Sequence, residues 1–148
     1  MSAAIRESGV LGPVIALNLW TFVMEGWMYA TRIPAMEKYK IDVNPNTIRD
    51  QMALKLPPSV RWVADNYNHL MEQPTQFYAV ALAIALLHKG RGEKSDVALA
   101  WAYVGIRVVH SFVQASRNHI MTRFSLFLTS SGLLLGLTVN AAKLVLSG

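Results

Sequence analysis

At 148 residues, with 53% hydrophobic and 16% charged residues and no cysteine, the chain is more apolar than a soluble domain, in which about a quarter of residues are charged. The lack of cysteine excludes structural disulfides, thiolate metal sites and a cysteine nucleophile together. A net charge of +5 would suit nucleic acid, but the basic residues lie in loops between apolar segments and not on one helical face among aromatics. Lipid headgroups, and not nucleic acid, are therefore the expected partner.

The first apolar stretch predicts a helix from about Val10 to Thr31. Gly12 and Pro13 fall in its opening turns, where proline is tolerated, and Arg32, Ile33 and Pro34 are its expected stop. It runs past Trp27 without a small-residue cleavage site, so it reads as a retained span and not as a signal peptide. The polar connection from Pro34 to Ser59 contains Pro34, Pro45, Pro57 and Pro58 and is too broken to span. Within it Ile48, Met52 and Leu56 recur every four residues, as in a short helix lying in the membrane interface.

The second span starts after the Pro57-Pro58 pair, with Ser59 near its N-cap, and covers residues 60–88. Pro74 inside it leaves the carbonyl four residues earlier without a donor and predicts a kink. Lys89 to Asp96 is a hydrophilic turn. A third helix covers 97–115 and a fourth 121–145, joined by a link (ASRNHI) short enough to set them side by side and antiparallel. On the fourth, Ser125, Thr129, Gly132, Gly136 and Asn140 share a strip that predicts close helix packing. Four spans of about 20 residues and their connections use up the chain. The expected fold is one all-α domain, an integral membrane four-helix bundle over residues 1–148.

Taking these boundaries, one side of the membrane receives Arg32, Lys38, Lys40, Arg49, Lys55, Arg61, Arg117 and Arg123, and the other Arg6, Lys89, Arg91, Lys94 and Lys143. The richer side is cytoplasmic by the positive-inside rule, so the 32–61 connection faces the cytoplasm.

Ionisable residues inside the spans narrow the search for function. A charge at mid-membrane costs roughly 2.5 to 3.5 kcal/mol on insertion scales, so it normally faces a partner or a wet cavity. On the third helix Tyr103, Arg107, His110, Gln114 and Arg117 follow at intervals of 4, 3, 4 and 3 and share a face. The second carries Asp65, Asn68, His69, Glu72, Thr75 and Gln76, and the first Asn18, Glu25 and Arg32. At about 1.5 Å per residue, Glu25, Glu72, Arg107, His110 and Gln114 fall in one layer of the cytoplasmic half. Three polar stripes at one depth predict a shared ligand site, with Glu72 and Arg107 compensating one another or a common ligand. His69 and His110 have no further ligands at metal spacing, so no metal is expected and the imidazoles read as hydrogen-bonding or acid–base groups.

The segments ADNYNHLMEQPTQFYAVALAI, residues 64–84, and WAYVGIRVVHSFVQASRNHIMTRFSLFLTSSGLLLGL, residues 101–137, resemble the MAPEG family, the membrane-associated proteins in eicosanoid and glutathione metabolism. The likeness is to its bacterial branch, with Asn-His-Leu-x-Glu-x-Pro in the second helix and Arg-x-x-His-x-x-x-Gln in the third. The resemblance implies a homotrimer in the bacterial inner membrane that binds glutathione between subunits near the cytoplasmic side. It implies that Glu72 binds glutathione, that Arg107 stands where the family's third-helix motif begins with its arginine, and that Asn68 lies near the family's asparagine, one position before His69. Arg117 or Arg123 is the nearest candidate for the cation that activates the thiol. Arg32, His69, His110 and Gln114 are the further candidate ligand-binding residues of the polar stripes. Where glutathione-using members carry a basic residue seven positions before the glutamate, this chain has Asp65. Where they carry tyrosines in the third helix, it has His110 and Gln114.

The resulting expectation is a glutathione-dependent transferase or peroxidase acting on hydrophobic electrophiles that arrive through lipid. One alternative is a non-catalytic membrane protein that binds a lipid-like ligand or serves assembly, which Asp65 and the replaced tyrosines favour. A second is a small carrier with Glu25, Glu72 and His110 as a relay, for which no inverted repeat speaks.

Overall fold

The computed structural model of the chain describes residues 9–88 and 92–147. Six helices follow one another and no strand occurs among these residues: α1 (Leu11–Lys38), α2 (Ile48–Lys55), α3 (Pro58–Glu72), α4 (Pro74–Leu87), α5 (Lys94–Ser116) and α6 (Ile120–Ser147). Among the described residues three stretches are long and apolar enough to cross a membrane: Pro58–Leu87, which is α3 with α4, then α5 and α6. Helix α1 has the length, 28 residues, and carries Asn18 and Glu25 along it. The short interfacial helix expected around Ile48 and Met52 is α2.

The layout is that of a protein dissolved in lipid. Leu19, Phe22, Leu86, Leu128 and Leu135 are exposed on the outside, where hydrocarbon and not water meets them. The interior packs Leu17, Met24, Phe77, Ile84, Tyr103 and Leu137. Helix α5 is the central element, touching α1, α3 and α6, so the face it turns inward decides what the bundle encloses. Two side-chain hydrogen bonds fix its register. Trp20 Nε1 on α1 donates to Ser111 Oγ at 3.2 Å, and Asn140 Nδ2 on α6 donates to Asp96 Oδ1 at 2.8 Å. Asp96 also accepts from the Glu93 amide and completes a reciprocal capping box at the start of α5, satisfying donors that a helix N-terminus otherwise leaves open.

Boundaries differ from the sequence expectation at three places. Helix α5 begins at Lys94, inside the expected Lys89–Asp96 turn, because Glu93 and Asp96 cap the helix there. Helix α1 does not stop at Arg32 to Pro34 but continues through Pro34 to Lys38. Pro34 removes one amide donor, yet Ala35 just beyond it is buried, and the packing carries the helix on. The real stop is Lys40, left-handed at φ 48°, where the Lys40 amide donates to Glu37 O and the Ile41 amide to Met36 O. These are the two bonds of a Schellman end. The third difference is an interruption where a kink was expected, since α3 closes at Glu72 and Pro74 opens α4. Gln73 between them keeps helical angles, so the two form one 30-residue stretch.

Of the glycine strip, Gly136 approaches the Leu99 side chain of α5, which a Cβ there would meet at 3.6 Å, whereas Gly132 faces open space. Only half of that strip is a packing face within the chain. The first three residues of the expected Lys89–Asp96 turn lie outside the described residues, as do residues 1–8 with Arg6.

Replacing Asp96 with Ala removes the cap and the bond to Asn140 at once. The expected cost is about 1 to 2 kcal/mol, read as a lower midpoint in detergent unfolding, and Asn140→Leu added to that variant should cost little more.

Candidate functional site

The periodicity of the α5 stripe is realised as burial. Tyr103, Arg107, His110 and Gln114 all turn inward, with Arg107 fully buried. Tyr103 stacks on Phe77 with ring centroids 4.5 Å apart and donates its hydroxyl to Gln73 Oε1, using the residue at the break between α3 and α4. One turn further, Arg107 Nη1 lies 3.2 Å from His69 Nε2. A guanidinium can only donate, so Nε2 is the acceptor and the His69 ring proton sits on Nδ1. The His69 ring is 5.1 Å from that of His110 and 5.7 Å from that of Phe127.

Arg107 is under-satisfied for a buried cation. Its Nε and Nη2, His110 Nδ1 and Gln114 Oε1 are buried without a hydrogen-bond partner. A native interior rarely leaves buried donors and acceptors unmet, and each such group costs about 1 to 3 kcal/mol. Several of them on one helix face mark a place where something polar belongs. Asn66 on α3 is also buried, with both side-chain polar atoms unpaired. The sequence reading passed it over because it lies off the polar stripe of its helix.

Beside this cluster a cavity of about 250 Å³ is lined by His69, His110, Arg123, Phe124, Phe127 and Ile120. Arg123 is brought there by the α5–α6 link, in which left-handed Asn118, at φ 50°, reverses the chain and accepts from Arg123 Nη1 at 2.5 Å. The guanidinium is thereby held, and its Nε remains a buried free donor. Arg117 ends α5 exposed and does not line this cavity. Of the two arginines singled out from the sequence, only Arg123 stands with the imidazoles.

The α3 stripe faces the other way. Asp65, Asn68, Glu72, Thr75 and Gln76 are exposed, and only His69 is partly covered. Glu72 and Arg107 are therefore not paired within the chain: the carboxylate faces outward while Arg107 bonds to an imidazole. Glu25 on α1 is partly buried. Arg32 and Asn68 are elsewhere again, lining a cavity of about 510 Å³ with Arg49, Arg61 and Asp65 where α1, α2 and α3 meet. Among the described residues no three His, Cys, Asp or Glu side chains gather as a metal ion would need.

The profile of one protein family, described as the MAPEG family, matches residues 10–143. No curated protein and no solved structure matches the chain.

His69 is the sole side-chain acceptor for Arg107 among the described residues, so its removal should be costly. His69→Leu should destabilise by about 1 to 3 kcal/mol and His69→Gln, which keeps an acceptor, by less. Adding Arg107→Met to His69→Leu should restore much of the loss, because the stranded charge goes with it. Unfolding midpoints of the four proteins in one detergent test the ordering.

Proposed function

The chain belongs to the MAPEG family, and from that premise we propose that it is a glutathione-dependent transferase or peroxidase acting on hydrophobic electrophiles that reach it through lipid. The observation that carries this reading is the cluster of open donors at Arg107 and Arg123 beside a cavity with phenylalanine walls. Glutathione offers two carboxylates, an ammonium group and a thiol. Arg107 directs its free N–H groups at a carboxylate, where a charge-assisted bond is about twice as strong as a neutral one. His110 and Gln114 hydrogen-bond the peptide part, and Glu72 takes the ammonium.

The reactive form of the thiol is the thiolate, and a nearby cation lowers the pKa at which it forms. Arg123 does this at the cavity mouth, already oriented by Asn118. The thiolate then attacks the electrophilic carbon of a substrate held against Phe124 and Phe127, forming a C–S bond while the leaving group departs with its electron pair. The aromatic walls select apolar substrates.

The functional unit is a homotrimer in a bacterial inner membrane, with α1 as a fourth span and the 32–61 connection cytoplasmic. Support comes from the outward stripe on α3. Glu72 exposed to hydrocarbon would cost roughly 2.5 to 3.5 kcal/mol, and a neighbouring copy laid over Asp65, Asn68 and Glu72 removes that cost and closes the site between subunits.

Calorimetry of glutathione with the detergent-purified protein should show binding that Glu72→Gln weakens at least tenfold. Thiolate absorbance of the complex should titrate below the reference thiol value of about 8.5, and Arg123→Leu should return it there while Arg117→Leu leaves it shifted. Native mass spectrometry from mild detergent should report three chains. Glutathione bound with an unshifted thiol and no turnover of an aryl halide would leave a ligand-binding protein in place of an enzyme.

A further inference from the structure

We propose that the cavity beside the imidazoles takes apolar compounds with a conjugated carbonyl group, enones and enals, and that His69 Nδ1–H is the donor to their carbonyl oxygen. The inference deepens the transferase reading and rests on it for the chemical step. It starts from the tautomer. Arg107 can only donate, so its 3.2 Å contact occupies His69 Nε2 as an acceptor and leaves the ring proton on Nδ1. That N–H has no hydrogen-bond partner among the described residues, yet it is not one of the chain's sealed, unpartnered atoms. With Nε2 turned to Arg107, the N–H opens on the space that the ring lines, the cavity of about 250 Å³ shared with Arg123, Phe124 and Phe127.

The donor keeps its direction without substrate, because Arg107 anchors the ring and the rings of His110 and Phe127 lie 5.1 and 5.7 Å from it. A preorganised donor of this kind acts where negative charge develops in the transition state. The guanidinium bond at Nε2 draws electron density from the ring and strengthens the N–H as a donor, as hydrogen bonds in a chain polarise one another. The step follows from these parts. The thiolate favoured by Arg123 attacks the carbon β to the carbonyl and forms a C–S bond. The π pair of the C=C bond shifts toward the carbonyl carbon, and the carbonyl pair moves to oxygen, where the His69 N–H meets the enolate. A proton from solvent, which has received the thiol's own, then adds to the α-carbon. The net change is addition of S–H across the double bond, with no oxidant and no leaving group. An alkyl halide sends its charge away with the halide and gives His69 nothing to bind, so the cavity favours the carbonyl class.

Two measurements on the full chain in detergent test this, and the first needs no glutathione. In protein carrying nitrogen-15-labelled histidine, the His69 ring, identified by its loss in His69→Gln, should be protonated at Nδ1. The saturated ketone 2-nonanone, which cannot react, should move that N–H resonance downfield, and nonane should not. The second measurement compares kcat/KM for trans-3-nonen-2-one with that for 1-bromononane at saturating glutathione, each corrected for its uncatalysed rate. Wild type should favour the enone. His69→Met, which has no side-chain N–H, should lower the ratio at least tenfold, and His69→Gln, which keeps an acceptor for Arg107 and an N–H, should recover most of it. A ratio unchanged in His69→Met, a His69 proton on Nε2, or a resonance indifferent to the ketone would overturn the proposal. If neither compound turned over, the transferase reading would fall, and the ketone titration alone would uphold His69 as a carbonyl donor or overturn it.

Discussion

Hydrocarbon offers no hydrogen bonds, so every polar group within a spanning helix has to find its partner in protein. In this chain that constraint bears hardest on Arg107, a permanent cation with no exposed surface, held by a single imidazole. The rest of the interior is arranged around it. Helix α5 lies at the centre of the bundle because its inward face is the one that cannot meet lipid. Gln73, at the junction of α3 and α4, accepts from Tyr103 one turn before Arg107, and the tight α5–α6 link returns the chain so that Arg123 stands beside the same imidazoles.

A single copy leaves that arrangement incomplete in two respects. Inside, Arg107, His110, Gln114 and Asn66 hold buried polar atoms with no partner; outside, α3 presents Asp65, Asn68 and Glu72 where lipid would be. Unmet donors within and unmet carboxylates without are complementary deficits. On the proposed function, a zwitterionic ligand reaching from one to the other, with a second copy covering the outward stripe, would meet both.

Much of this was legible in the sequence, and what was not has identifiable physical reasons. The 4, 3, 4 spacing of Tyr103, Arg107, His110 and Gln114 on α5 located a buried face, since helical period depends only on backbone geometry, whereas Arg117, the last residue of that stripe, lies past the helix end and is exposed. The same rule found the α3 stripe but could not tell inside from outside, because in a membrane protein both faces of a helix can be non-aqueous and hydropathy no longer points inward. Hence Glu72 and Arg107 looked like a pair from depth alone, when His69 is the actual partner. Pro34 misled for a different reason: the loss of one amide bond is a local cost, and packing around Ala35 outweighs it. Arg49 and Arg61 read only as loop charge, because the cavity they share with Arg32 depends on where the short helix α2 lies relative to α1 and α3, which no local pattern encodes.

The central claim is that the outward polar stripe of α3 is covered by protein and not by lipid. The chain has no cysteine, so a single cysteine can be placed at any position and spin-labelled without background. The decisive measurement is oxygen accessibility of labels at Asn68 and Glu72, in bilayers, against labels at Leu82 and Leu86, which face outward on α4. The account predicts immobile spectra and low oxygen collision rates at Asn68 and Glu72, with high rates at Leu82 and Leu86. Collision rates at Glu72 equal to those at Leu86 would mean that the carboxylate faces lipid, and the account of a site closed between copies would be contradicted.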